Sequence, residues 1–135
     1  MEPSLEVQKL IRMRLVATSA VTSLVPASSI VDRNGIPNTF PSILIGDGQT
    51  VADEGLSRNR HVTYFDIHVW VKETGLVMAK QITGTIRDAL FDGVWTVPGL
   101  HIADLYVTDS RFLRDPGGLH SHAVIGLQAF VVETA

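Results

Sequence analysis

The stretch HVTYFDIHVWVKETGLVMAKQITGTIRDAL, residues His61–Leu90, decides the fold. From His61 to Lys72 the residues alternate. Phe65, Ile67, Val69 and Val71 point one way, and Tyr64, Asp66, His68, Trp70 and Lys72 the other. A period of two with one wholly apolar face marks a strand. Glu73-Thr74-Gly75 breaks the pattern, and Leu76, Ala79, Ile82, Ile86 and Leu90 then recur at helical spacing. The two apolar surfaces bury most simply against each other, which predicts a sheet with a helix on its inner side.

Working outward, Leu5, Leu10, Ile11, Arg14 and Leu15 form an amphipathic stripe behind Ser4, the expected N-cap. Residues up to Val25 read as a helix pair broken near Ala17–Ser19, or as one kinked helix, stopped by Pro26. Ser29–Asp32 is a short strand, Arg33–Asn38 a loop, and Ser42–Gly46 an apolar strand whose entry Pro41 tolerates. Residues 46–60 carry no periodicity and predict a mobile hairpin arm without an element of its own. Asp92-Gly93 closes the helix, and Val94–Val97 is a small strand or a linker. Leu100–Phe112 is a strand with Ala103, Leu105 and Val107 opposite Ile102, Asp104, Tyr106 and Thr108. A turn at Arg114–Gly118 leads to the last strand, Ser121–Glu133, apolar on both faces except at Gln128. The expectation is α+β: one domain over residues 1–135, with a mixed, mainly antiparallel sheet of four to five strands flanked by helices.

Composition narrows function. Hydrophobic residues make up 45% of the 135 and charged ones only 19%, lean enough in charge to expect that a partner covers some surface. A net charge of −3 argues against a grip on nucleic acid, which needs clustered Lys and Arg. With no cysteine, disulfides, thiolate catalysis and cysteine-ligated zinc are excluded. The sequence holds no apolar run of about 18 residues that would span a membrane. Met1-Glu2-Pro3-Ser4 does not read as a signal peptide.

Motifs for nucleophilic, phosphate-binding and zinc-hydrolase chemistry are missing. Of five histidines, only His120 and His122 have ligand-like spacing, with Asp115 nearby. A small metal-dependent hydrolase built on these three is one alternative, and it lacks a further ligand. No catalytic residue, metal or cofactor is assigned. A ligand-binding module with a pocket between helix and sheet is a third class without a supporting signal.

Tyr64, Asp66, His68 and Trp70 share the mixed face of the central strand. Aromatic residues among polar ones typify protein–protein contacts. The competing explanation is that the N-terminal helix packs there. Arg58, Arg60, Arg111 and Arg114 suit the rim of a charged interface, with Asp115 beside them, and Gln128 and Phe130 the surplus face of the last strand. Gly84 lies inside the helix, either admitting another backbone or as a tolerated exposed glycine.

The order of these signals is that of a known family. Phe40-Pro41 leads into a strand ending in Gly46, and a polar arm follows. Ile67-His68-Val69-Trp70, the helix Ala79–Leu90, Pro98-Gly99 and the turn Phe112–Leu119 come after it. The chain resembles the tail-completion, or tail-terminator, proteins of long-tailed phages and gene transfer agents. That resemblance implies a structural virion protein of the neck or tail, assembled in the bacterial cytoplasm. It implies a hexameric ring capping the head-proximal end of the tail tube, stopping tube growth and meeting the head–tail connector. DNA would pass through without specific binding. A head-completion stopper or adaptor of the same connector is the near alternative.

Overall fold

The alternation at His61–Val71 becomes strand β3 (Arg60–Val71), the centre of a six-stranded sheet. The computed structural model describes residues 1–53, 55, 57–91 and 95–134. The other strands are β1 (Ile30–Asp32), β2 (Ser42–Ala52), β4 (Thr96–Val97), β5 (Leu100–Arg114) and β6 (Ser121–Glu133). The helices are α1 (Pro3–Ala17), α2 (Ser19–Thr22) and α3 (Val77–Phe91). The strand order is β1-β2-β3-β6-β5-β4. Among the described residues only β1–β2 is parallel, so the sheet is mixed and mainly antiparallel. It exceeds the expected strand count because its outermost members are only three and two residues long.

Phe65, Ile67, Val69 and Val71 lie in one buried cluster with Ala79, Ile82, Ile86 and Leu90 of α3. Val7, Ile11 and Leu15 of α1, and Val21 and Val25 around α2, join the same cluster. All three helices therefore share one side of the sheet. Each large aliphatic residue buried there contributes about 1.5–3 kcal/mol.

Several expectations need correction. The buried stripe of α1 is Val7, Ile11 and Leu15 at strict four-residue spacing, while Leu5 is exposed. The N-cap is Glu2, whose carboxylate accepts from the Ser4 amide (3.2 Å) and hydroxyl (3.0 Å), and Pro3 opens the helix. The helix pair is as expected: the break falls at Thr18, within Ala17–Ser19, in extended conformation, with its hydroxyl donating to the Arg14 carbonyl (2.7 Å). Most of the arm is regular: β2 continues to Ala52, pairing Gly48–Ala52 with Phe65–His61. Hydrogen bonding to β3 stabilises this segment, which has no periodicity of its own. On β5 the simple alternation fails, because the register skips Ala103 and Thr108. Each bulge adds a residue and reverses the phase, so Ile102 and Leu105 are both buried while Ala103 is exposed. The expected helix stop at Asp92-Gly93 lies outside the described residues, as does Val94.

Two substitutions check this packing. Ile67 is fully buried at the centre of the cluster; Ile67→Asp places an unpaired charge there and abolishes the cooperative thermal transition followed by circular dichroism. Gly84 is exposed within α3, and a Cβ added there meets nothing within 4 Å. Gly84→Ala is expected to stabilise by about 1 kcal/mol in denaturant titration.

Candidate functional site

With every helix on one side, the other face of the sheet carries none among the described residues. Register fixes what stands on it. Tyr64 pairs with Gln128 and Gln128 with Tyr106; His68 pairs with Val124, and Trp70 with His122. Tyr64, Asp66, His68, Trp70, Gln128 and Phe130 are thus gathered on one surface. The N-terminal helix does not cover it, so that explanation of the mixed face is overturned.

Side chains at one end of this face lock together. The Trp70 ring lies flat on His122, with centroids 4.0 Å apart and planes 8° from parallel. His68 Nδ1 and His122 Nε2 are 2.8 Å apart, so one donates and the other accepts. Leu44, His68, Trp70 and His122 floor a cavity of about 270 Å³ whose wall is the loop Arg33–Ile36. Gly46 is required there: a Cβ would lie 2.7 Å from the His68 ring. Towards the middle, a Cβ on Gly126 would collide with the Asp109 carboxylate and sit 2.8 Å from the Thr108 hydroxyl. The other end is aromatic, with Tyr106 and Phe130 at 6.3 Å and Tyr64 and Tyr106 each more than a third exposed.

The rim residues separate. Arg58 and Arg60 stand exposed at the β2–β3 tip. Arg114 and Asp115 occupy the opposite end of the sheet, roughly 35–40 Å away along twelve-residue β3. Arg114 donates to the Thr74 carbonyl (3.2 Å), and Asp115 faces His120 (3.5 Å). His120 also stacks on Phe40 at 4.5 Å. The two ligand-spaced histidines therefore take separate partners. Among the described residues no three His, Cys, Asp or Glu side chains converge to hold a metal. Sequence reasoning missed the His68–His122 contact because it depends on the β3–β6 register. It missed Leu44, buried on the open face, because an all-apolar strand does not say which face a loop covers. Among the described residues no helix is long and apolar enough to cross a membrane.

Residues 9–132 match the family described as "Tail completion protein gp17". The chain belongs to this family. It is a structural protein of the virion tail or neck and not an enzyme. Solved structures similar to this tail completion protein include the following two. A chain of "Virion of native gene transfer agent (GTA) particle" superposes with a TM-score of 0.78 at 18% identity, covering 90% of this chain and 91% of that one. "Structure of bacteriophage SPP1 gp17 protein" superposes with a TM-score of 0.61 at 19% identity, covering 100% and 96%. At such identities these likenesses show the fold. No curated protein matches by sequence.

Burial holds the His122 pKa down to about 4 from its ordinary 6.5, and the charges of His68 and Arg111 add to this. The fold keeps the ring neutral while the unfolded chain takes up a proton below about pH 6.5. Stability is therefore lost as pH falls from about 6.5 towards 4. After allowance for a partly solvated ring, the loss is about 1–2 kcal/mol. Thermal melting between pH 7 and pH 4 should show this slope, and His122→Gln should flatten it.

Proposed function

We propose that this tail completion protein forms a closed ring that caps the head-proximal end of the tail tube. The ring stops further polymerisation and presents a docking face to the head–tail connector, and DNA passes through its centre. A hexamer is the expected copy number. The observation that carries this reading is a sheet face bearing Tyr64, Tyr106, Phe130 and Trp70, with no helix upon it among the described residues. Surfaces of that composition are suited to protein contacts. Family membership supplies the tail as the setting. Closure into a ring needs two different patches on each subunit. The aromatic end of the open face with its neighbouring arginine-bearing tip, and the opposite end of the sheet at Arg114 and Asp115, are separate enough to serve as two. Arg58 and Arg60 at that tip meet the partner's charge.

Light scattering of the purified protein, alone and with tube protein of the same particle, should show a discrete ring and tubes capped at one end. Arg58→Glu with Arg60→Glu should melt like the parent, since both side chains are exposed, and should weaken capping about tenfold or more. A strict monomer that never caps tubes defeats the proposal.

A further inference from the structure

The sheet leaves two backbone edges unpaired at the same height. Among the described residues strand β1 pairs only with Ile43–Ile45 of β2, so Gly46–Ala52 has no outer partner strand, while the Thr50 hydroxyl donates to the Glu2 carboxylate. Among the described residues strand β4 pairs only with Leu100 and His101 of β5, so β5 beyond them has no outer partner strand, and the Leu105 amide donates to the Asp104 carboxylate (2.9 Å). Four uninterrupted rows cross the sheet between these edges. They run Gly48–Phe65–Leu127–Val107, Gln49–Tyr64–Gln128–Tyr106, Thr50–Thr63–Ala129–Leu105 and Val51–Val62–Phe130–Asp104. Both β5 bulges fall outside these rows.

We propose that neighbouring copies join edge to edge, Gly48–Val51 of one pairing antiparallel with Asp104–Val107 of the next. This inference rests on the ring reading above and names its interface. The chain supplies both halves of the contact. Strands β2 and β5 run in opposite senses, and rotation about an axis along the strands preserves that sense. The next copy's β2 therefore arrives antiparallel to β5, and the equal heights demand no axial shift. An unpaired edge invites pairing unless it is blunted. Residues 46–52 hold one charge, Asp47, and no proline.

Apolar surface flanks each edge. Beside β5, Phe91 at the end of α3 is 85% exposed and lines a groove with Leu90, Leu105 and Val107. On the β1–β2 side, Leu5 of α1 is 47% exposed. It shares a helix face with Gln8 and Arg12, which hydrogen-bond Asp32 and Ile30 of β1. Charge is complementary too. Asp104 stands on the open face of β5 at the height of Val51. Arg60 lies on the same face, one strand in from the β2 edge and just beyond Val51 in height. Among the described residues neither forms an ion pair within its own chain.

The absence of cysteine makes the test clean. Gln49→Cys with Tyr106→Cys puts two thiols on opposite edges. They lie three strand spacings, about 14 Å, apart across the sheet, too far to join within one chain. Oxidation of the assembled double variant should give a ladder of covalent multimers on a non-reducing gel, while each single variant stops at dimer. Val51→Cys with Asp104→Cys should reproduce the ladder. Phe91→Asp should lower assembly tenfold or more with a melting temperature unchanged within about 2 °C. Oligomers by light scattering with no ladder from either pair, or normal assembly of Phe91→Asp, overturn the edge contact and leave the ring standing. If the parent forms no oligomer alone or on tubes, both readings fall.

Discussion

The burial of one face of β3 under both long helices is the interaction on which the rest of the structure depends. Phe65, Ile67, Val69 and Val71 are fixed against α1 and α3 together. A two-layer arrangement of this kind hides one side of a sheet and leaves the other to solvent or to a partner. The bareness of the opposite face follows directly from where α1 went. Had α1 crossed to that side, Tyr64 and Trp70 would be core residues with no further meaning.

Much of this was readable from the chain. Strand β3 and helix α3 declared themselves through periods of two and of three to four, because each buries one continuous face. What escaped was set by pairing between distant segments. The continuation of β2 past Gly46 owes its form to β3, and no local preference in Gly-Asp-Gly-Gln announces it. The two bulges of β5 reversed its phase at Ala103 and again at Thr108. Alternation alone therefore put Ala103 with Leu105, and the register put Ile102 there. The N-cap moved from Ser4 to Glu2 because Pro3 is well suited to the first helical position.

The candidate surface was legible in part. The residues of β3 and β6 fell on one face as their parity required. The arginines at residues 58 and 60 and the pair Arg114 and Asp115 could not be placed relative to each other without the register, which sends them to opposite ends. Sequence placed His122 with His120, whereas the fold gives it to His68 and Trp70. That contact closes one end of the open face and leaves the aromatic end free. A structural role in a tail asks for shape and contact more than chemistry, and the distribution of side chains agrees with it.

The crowding at Gly126 has a historical consequence. Its hydrogen occupies space that the Asp109 carboxylate would otherwise share with a methyl group. A descendant can acquire a side chain at position 126 only as the exposed Asp109 carboxylate and Thr108 hydroxyl turn aside or give way to smaller groups. Positions 126, 108 and 109 should therefore drift together.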